Sequence, residues 1–576
     1  MSVLRVNMAD LTYKVQPLPE EWKMLGGRGL TSTIISQEVP AGCEALGEFN
    51  KLVLAPGLLC TTGAPSSGRL SAGAKSPLTG GVKEANAGGM GAIAITKLGY
   101  ECIILEGVND GLYILYITKN GIEILPCPEL KEVGTFETAA KLQEKYGKQS
   151  AVICIGPAGE RRYSIAGIAV ADMEGRTCRM CARGGLGAVM GTKGIKAVVV
   201  DPTGGANRAK ARPEEMKEIV KNWVTKLHPA FDHLRTYGSA VSVFKNNDSE
   251  VMPNHGFCGK ALPEEKVNKI SGQTIRDLQI ERGGRNEHTC HPGCLVQCSN
   301  IYNDKDGNYI TSGFEYETIA LDGANCDIFD IDLIAKMDHF CDDFGVDTID
   351  FGGAIAQAME GGIIKFGDEK AWWNMTEEMK NDTMIGKVLG QGTGIAGKVF
   401  GSKRITAVKG QGFPGYDPRV FKGTGVTFAT SPQGACHTAG CTLPGRKGYH
   451  PPVNVPMDPS IADNMVLYSR DLQSVVMLVD SFGLCSFMGS ASIFGGHAIP
   501  ALNAVYGTNY SFKDMVLMGE KLMRTEFQYN KACGLGVDDM MDFFRTEPTG
   551  KRHLVYDVPF EEMQNIWELQ TAEIPE

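Results

Sequence analysis

The sequence predicts an α+β protein in which a β-rich N-terminal domain is followed by two mainly α-helical domains. Short β-branched or aliphatic runs, separated by Gly, Pro and Asn, fill the chain up to about residue 200. After Pro213 the pattern becomes helical. Because 576 residues are too many for one hydrophobic core, we predict domains at residues 1–205, 206–410 and 411–576.

The strands of the first domain are predicted from aliphatic runs bounded by turn residues. A polar, basic stretch at Gly204–Arg212 then marks the boundary to the helical part. The predicted strands are Leu4–Val6, Leu52–Leu54, Ile103–Glu106, Tyr113–Ile117, Val152–Ile155 and Ala197–Val200.

The helices are predicted from apolar spacing and from end signals. Pro213 followed by two acids favours a first helical turn, and Gly345 is suited to cap the helix that ends at Phe344. No repeat of fixed period is visible. The predicted helices begin at Pro213 or span Asp332–Phe344, Asp350–Glu360 and Ile461–Val479.

Composition narrows the class of protein. A net charge of −10 argues against nucleic acid as a partner, and no apolar run reaches the roughly 18–20 residues that span a membrane. The first residues lack the apolar core of a signal peptide, so we expect a cytoplasmic protein. The 17 cysteines then indicate reduced thiols rather than disulfides.

Four cysteines have the layout of a metal cage. Cys290, Cys294 and Cys298 are spaced Cys-x3-Cys-x3-Cys, and Cys485 lies far along the chain. Three close thiolates and one distant thiolate are the commoner arrangement for an iron–sulfur cubane, whereas zinc is usually held by two close pairs. The spacing favours a [4Fe-4S] cluster, with a zinc site or no metal as the alternatives.

Two short segments echo each other, each after a predicted helix. Asp342-Asp343-Phe344-Gly345-Val346-Asp347 and Asp480-Ser481-Phe482-Gly483-Leu484-Cys485 share the pattern D-x-F-G-aliphatic-D/C. The echo suggests two related half-sites for a two-fold ligand.

Glycine-rich loops in the first domain are candidate anion-binding sites, because small residues let backbone N–H groups point at phosphate. Any one loop is equally a tight turn, but several in one domain favour a cofactor that carries phosphate. The loops surround Arg69, Lys75, Asn86, Gly156 and Arg183.

Taken together, these motifs make the sequence resemble the tungsten-containing aldehyde:ferredoxin oxidoreductase family over nearly its whole length. The motifs that carry the resemblance, besides the cysteines and the two echoing segments, are Gly27-Arg28-Gly29-Leu30, Gly68-Arg69, Lys75–Gly80, Asn86–Gly89, Gly156–Glu160, Arg183–Gly191, Glu315-Tyr316-Glu317, Tyr416–Arg419 and Gly434–His437.

The resemblance implies a tungsten or molybdenum ion held by the dithiolenes of two pterins, with the β-rich domain as the base of the cofactor. Asp342, Gly345 and Asp347 would hold one pterin. Asp480, Gly483 and Leu484 would hold the other pterin, while Cys485 completes the cluster cage. A magnesium ion would bridge the pterin phosphates through backbone oxygens of Asn86 and Cys181. The remaining implied cofactor-binding residues are Arg69, Lys75, Gly88, Gly89, Ala182, Arg183 and Gly184.

Glu317 and His437 match the active-site acid and histidine of that family. Without the resemblance, the first would be taken for a solvated acid and the second for a packed histidine. With it, a carboxylate near a metal can act as a base and an imidazole can hydrogen-bond a carbonyl oxygen. The implied reaction converts an aldehyde and water to a carboxylic acid, with electrons leaving singly to ferredoxin or a small iron–sulfur subunit.

The sequence departs from the family pattern at two places. The archaeal members have Cys-x2-Cys-x3-Cys, one residue shorter than the spacing here. Some members hold a bridging iron with Glu-x-x-His, where this chain has Lys336 and His339. A lysine cannot replace the carboxylate ligand, so we predict no bridging iron and leave the oligomeric state open.

Two other functions fit the sequence. The same cofactors serve a low-potential reductase of aromatic thioesters in some relatives. A cluster-bearing electron-transfer subunit without a catalytic metal is the third hypothesis, although two complete D-x-x-G segments argue against it.

Overall fold

The computed structural model describes residues 1–442, 449 and 456–568. The segments 443–448, 450–455 and 569–576 fall in the predicted third domain and lie outside the described residues. The fold is α+β, as predicted, with β-rich structure to residue 200 and mainly helices beyond it. The division of the helical part at residue 410 stays a prediction.

Two six-stranded sheets form the N-terminal region. The first has the order β2-β1-β6-β3-β4-β5 and the second β8-β7-β12-β9-β10-β11. The strands of the first sheet are β1 Ser2–Asn7, β2 Thr12–Pro17, β3 Leu52–Pro56, β4 Leu70–Lys75, β5 Val82–Ala87 and β6 Tyr100–Glu106. Those of the second are β7 Tyr113–Ile117, β8 Ile122–Pro126, β9 Ala151–Cys154, β10 Ile168–Val170, β11 Arg179–Cys181 and β12 Ile195–Val200.

The two sheets have the same topology, so the base is a structural duplication. Strand n of the first sheet corresponds to strand n + 6 of the second. In each sheet one pair is parallel, β1 with β6 and β7 with β12, and the other pairs are antiparallel. A short sequence trace remains in Gly88-Gly89-Met90-Gly91-Ala92 and Gly184-Gly185-Leu186-Gly187-Ala188. No repeat of fixed period was predicted from the sequence, so the duplication corrects that expectation.

The helices of the base occupy matching places in its two halves. Gly27–Glu38 and Thr135–Tyr146 each follow the first hairpin of a sheet, and Gly91–Lys97 and Leu186–Thr192 each precede its last strand. A short helix, Pro157–Glu160, follows β9. The central strands of both sheets are buried, because their aliphatic side chains pack into hydrophobic cores.

A small sheet carries the clustered cysteines. Its strands are β13 Arg285–His288, β14 Ser299–Asn303 and β15 Tyr309–Ser312, paired in that order, and the cysteines lie in the β13–β14 connection. A two-stranded ladder joins β16 Ala407–Val408 and β17 Gln411–Gly412.

The rest of the described chain is mainly helical, and all four predicted helices are confirmed with shifted ends. Two π-helical turns occur, at Ile319–Gly323 and Phe494–Ala498. The α-helices are Pro213–Leu227, Asp232–Tyr237, Ser242–Asp248, Glu264–Ile270, Gly272–Glu281, Tyr316–Thr318, Ile331–Phe344, Thr348–Glu360, Glu369–Lys380, Met384–Leu389, Thr393–Phe400, Lys422–Thr430, Met465–Phe482, Ala491–Ile493, Ile499–Tyr506, Phe512–Ala532, Asp542–Thr546 and Phe560–Met563.

Two helix ends dock on the base in equivalent ways. Gly345 and Gly483 cap their helices in the left-handed region, with φ of 82° and 74°. The carbonyl of Gly345 accepts a hydrogen bond from the N–H of Gly167 at 2.9 Å, and that of Gly483 accepts one from Arg69 at 3.2 Å. The two echoing segments therefore meet the two halves of the base through the same kind of backbone bond.

These contacts require glycine on the base as well. A Cβ on Gly57 would lie 2.0 Å from the nitrogen of Gly483, and a Cβ on Gly156 would lie 2.3 Å from the carbonyl oxygen of Phe344. Both obstacles are backbone atoms, which cannot rotate out of the way. The glycines fix how close the helix ends come to the base.

Gly57→Ala is expected to lower the free energy of unfolding by about 1–3 kcal/mol or more, because overpacking against backbone forces a shift of the whole helix end. Gly42→Ala is the matched control, since its Cβ would have no neighbour within 4 Å. Thermal unfolding of both variants measures the difference. Equal melting temperatures would show that the helix end does not depend on the close approach.

Candidate active site

A cavity of about 430 Å³ lies between the base and the helical part. Its walls come from the β4–β5 hairpin, the β11 turn, the cysteine loop and both echoing segments. Elements that are distant in sequence therefore converge on one space.

All four predicted cage cysteines line this cavity. The thiol of Cys290 hydrogen-bonds Cys294 and, with His291, lowers the pKa of Cys294. The N–H of Gln297 donates to the Cys294 sulfur at 3.4 Å, and the N–H of Cys485 donates to the carbonyl of Ser66 at 2.9 Å. The donor set of four thiols suits a [4Fe-4S] cluster.

The two echoing segments present carboxylates to the cavity. Asp342, Asp347 and Asp480 line it, and burial raises the pKa of each. One oxygen of Asp480 accepts from the side-chain amide of Asn86 at 3.1 Å. Gly345, Gly483 and Leu484 form the turns that place these carboxylates.

Five cationic side chains of the described part of the chain also line the cavity. The guanidinium of Arg183 donates to Asp347 at 3.0 Å and to Asp350 at 3.1 Å. The negative charges of these two acids offset the cost of burying the cation. The guanidinium of Arg69 donates to the backbone oxygen of Asn86 at 2.8 Å. This concentration of positive charge suits phosphate groups. The five residues are Arg28, Arg69, Lys83, Arg179 and Arg183.

Two of the residues predicted to bind the cofactor or magnesium, Lys75 and Cys181, do not line the cavity and donate to backbone carbonyls instead. The ammonium of Lys75 donates to the carbonyls of Ala41 and Cys43, and its role in cofactor binding stays a prediction. The Cys181 thiol, on β11 of the second sheet, donates to the carbonyl of Leu70 on β4 of the first sheet, at 3.6 Å.

The glycines of the two matching turns make room for neighbours. A Cβ on Gly184 would lie 2.3 Å from the side chain of Lys83, and one on Gly89 would lie 2.7 Å from Val170. Gly88 and Ala182 form part of the cavity wall itself.

Glu317 and His437 face each other in the cavity. His437 Nε2 lies 3.3 Å from Glu317 Oε1, and the N–H of Gly415 donates to Glu317 Oε2 at 2.7 Å. Burial raises the pKa of Glu317 to about 7, because the charged form loses its hydration. The carboxyl group is therefore poised to hold or release a proton near neutral pH.

Sequence reasoning missed several charged residues of the cavity. Arg28 donates to Glu526 at 2.9 Å and to Asp480 at 3.4 Å, and Lys83 and Glu84 point from β5. Charged residues inside a strand with buried neighbours are the signal that could have found them. Cys436 also lines the cavity beside His437.

Lys336 and His339, which stand where some family members bind a bridging iron, do not line the cavity. Lys336 is exposed, and the ring of His339 packs on Phe136 with centroids 4.7 Å apart. The absence of a bridging iron stays a prediction.

Comparison with known proteins identifies the family. The aldehyde ferredoxin oxidoreductase N-terminal domain matches residues 3–202, and domains 2 and 3 of the same family match residues 215–566. The chain belongs to this family. It is thus an oxidoreductase of that type, and the family implies a tungsten–pterin cofactor.

Two similar proteins are tungsten-containing aldehyde ferredoxin oxidoreductases. That of Thermococcus kodakarensis is 32% identical, with 96% of this chain and 91% of the relative covered. That of Pyrococcus abyssi is 31% identical, with 92% and 89% covered. A solved structure of the active site complex BamBC of benzoyl coenzyme A reductase with 1,5-dienoyl-CoA has the same fold, with TM-score 0.76, 20% identity and coverage of 93% and 89%.

The residues of the cavity fit the group that the family implies. The cations of the cavity suit phosphate groups, the four thiols have the donor set of a [4Fe-4S] cluster, and the duplicated base has two equivalent docking points. None of the helices in the described part of the chain has the length and apolar character that a bilayer crossing requires.

Glu317→Gln is expected to stabilise the protein at pH 8 and to change its stability little at pH 5. The folded state raises the pKa of Glu317 from 4.5 to about 7, so it binds the proton more tightly than the unfolded chain does. Stability from this group is therefore present below pH 4.5 and is lost as pH rises through about 7.

The melting temperatures of both proteins at pH 5 and pH 8 check this prediction. Glu129→Gln, a change at an exposed carboxylate, is the control for general charge effects. A Glu317→Gln variant that is less stable than wild type at pH 8 would contradict the raised pKa.

Proposed function

We propose that this chain is the catalytic subunit of a tungsten or molybdenum bis-pterin oxidoreductase that converts aldehydes and water to carboxylic acids. The observation that carries the proposal is the Glu317–His437 pair, 3.3 Å apart, in the same cavity that the four cysteines line. The class of substrate is a small aldehyde, or a carboxylic acid in the reverse direction.

The echoing segments are the proposed pterin supports. Asp342, Gly345 and Asp347 serve one pterin, and Asp480, Gly483 and Leu484 serve the other. Their equivalent docking on the duplicated base supports this assignment, because two chemically equal groups need two equal surroundings. When bound, the metal–pterin group supplies the two-electron oxidation.

The turns of the base are the proposed phosphate and magnesium supports. Backbone oxygens of Asn86 and Cys181 would bind magnesium, and cations would neutralise the phosphates. Because Arg69 already donates to the Asn86 oxygen, its guanidinium would share that oxygen with the ion or turn to a phosphate. The remaining proposed contacts are Gly88, Gly89, Ala182, Arg183 and Gly184.

Glu317 and His437 are the proposed proton-handling residues. A carboxylate with a pKa of about 7 can accept a proton from the attacking water without being permanently charged in a buried site. The imidazole can donate a hydrogen bond to the carbonyl oxygen of the aldehyde. The N–H of Gly415 holds the other carboxylate oxygen in place at 2.7 Å.

Electrons would leave singly through a [4Fe-4S] cluster held by Cys290, Cys294, Cys298 and Cys485. Ferredoxin, or a small iron–sulfur subunit, would receive them. A cluster beside the reaction cavity would pass the two electrons of the oxidation one at a time to such carriers.

Elemental analysis joined to an assay with aldehydes and a viologen acceptor tests the reaction. We expect about four irons and one tungsten or molybdenum per chain, with aldehyde oxidation that rises with pH through about 7 as Glu317 loses its proton. Glu317→Gln is expected to lower kcat by about 10²–10⁴-fold at unchanged metal content.

Other outcomes would replace the proposal. Reduction of aromatic thioesters without aldehyde oxidation would assign the thioester reductase function. Iron without either heavy metal, after growth with both available, would assign an electron-transfer subunit.

Cys298→Ser is expected to lose most of the cluster iron, because three thiolates hold a cubane less firmly than four. Cys436→Ser is the matched control, since Cys436 is a buried cysteine of the same cavity outside the proposed cage. Iron content and the electron paramagnetic resonance of the reduced protein provide the measurement. Equal iron in both variants would exclude Cys298 as a ligand.

A further inference from the structure

Three side chains outside the main cavity bring metal-ligating atoms together. Ligand atoms of Asp172, Glu174 and His288 all lie within 4.8 Å of one another. Asp172 and Glu174 belong to the turn after β10, and His288 ends β13, so the group joins the base to the strand that leads into the cysteine loop.

The turn holds its first carboxylate firmly. Asp172 Oδ1 accepts hydrogen bonds from the N–H groups of Glu174 at 2.8 Å and Arg176 at 3.1 Å. Among the residues that the structure describes, its second oxygen accepts only from the weak thiol donor of Cys178, at 3.5 Å. One strong acceptor position on a buried carboxylate is therefore left for another partner.

His288 directs an unbonded nitrogen at the two acids. Its side chain is 0% exposed, and its Nδ1 lies 3.0 Å from the hydroxyl of Ser299. Its Nε2 is 3.4 Å from Glu174 Oε1, yet it makes no hydrogen bond to any described residue. A buried ring nitrogen without a bond is costly unless something occupies the space in front of it.

The neighbouring cations leave this space open. Arg176 binds the other oxygen of Glu174, Oε2, at 2.6 Å. Arg179 lies on the Nδ1 side of the His288 ring, at 3.4 Å. Arg285 is 3.8 Å from Glu174 Oε1, and its side chain is 56% exposed, so it can turn away into solvent.

We propose that Asp172, Glu174 and His288 bind a divalent transition-metal ion of the zinc class. Zinc takes both imidazole nitrogen and carboxylate oxygen as ligands, and a site with three protein ligands leaves its fourth position to water. The hydroxyl of Ser299 then accepts from Nδ1–H and fixes the ring, as outer partners of metal-bound histidines do. The ion fastens the base to β13, two residues before Cys290.

A second acidic turn in the same chain has a similar hydrogen-bond pattern but no histidine beside it. Asp304 Oδ1 accepts from the N–H groups of Asp306 at 2.9 Å and Asn308 at 2.8 Å, the same pattern as in the Asp172 turn. Its second oxygen is taken by the amide of Asn308 at 3.1 Å. This turn is exposed, and among the described residues no histidine joins it in a metal-ligating group. It therefore provides the matched control.

The test measures zinc in anaerobically purified holoenzyme equilibrated with buffered Zn²⁺, together with iron as a check on the cluster. We expect about one zinc per chain in the wild type. Asp172→Asn and Glu174→Gln should each lose that zinc at unchanged iron, whereas Asp306→Asn should keep it. Glu174 lies at the exposed rim of the site, so its variant separates loss of a ligand from loss of folding.

A Zn²⁺-dependent rise in melting temperature gives an independent measurement. It should appear in the wild type and Asp306→Asn and vanish in Glu174→Gln. Wild-type holoenzyme without zinc, or equal zinc in the wild type and Glu174→Gln, would overturn the proposal. Neither result depends on turnover, so the site can fail while the proposed aldehyde oxidation stands.

Discussion

Gly57 and Gly156 let the ends of two helices touch the backbone of the β-rich base. At both points a side chain would collide with backbone atoms, at 2.0 Å and 2.3 Å. The position of Gly345 and Gly483, and of the carboxylates just before them, follows from this approach. The cavity exists because two helical segments from distant parts of the chain reach equivalent points of one duplicated base.

Charge is the second constraint on this cavity. A buried ion costs several kcal/mol unless it is paired, and here Arg28 pairs with Glu526 while Arg183 pairs with Asp347 and Asp350. Burial nevertheless raises the pKa of Glu317, of Asp342 and of the paired Asp347, because their charged forms lose hydration. The site thus combines fixed cations with acids that can carry protons, which suits phosphate binding and proton transfer in one space.

Sequence reasoning succeeded where one physical pattern dominates. Aliphatic runs predicted the central strands β3, β6, β9 and β12, and the D-x-F-G echo predicted two equivalent segments. It missed β5, because Lys83, Glu84 and Asn86 point to the cavity and break the strand pattern. It also missed β4, because Leu70–Lys75 has mostly small residues where an aliphatic run would signal a strand. The role of Lys75 stays a prediction, because a lysine in a glycine-rich turn gives no sign that its long side chain reaches the carbonyls of Ala41 and Cys43.

The duplicated frame is symmetric, but the residues after its two capping glycines are not. Asp347 and Cys485 occupy the same place in the echo, and their N–H groups donate to Ile165 and Ser66 of the corresponding halves. Asp347 is bound by Arg183, whereas Cys485 joins the other three thiols at the cavity wall. The exchange of carboxylate for thiol therefore places the fourth thiol of the proposed cage beside only one half of the base. In the proposed function, electrons would leave this two-fold frame on that side, because only one of its two equivalent positions carries sulfur.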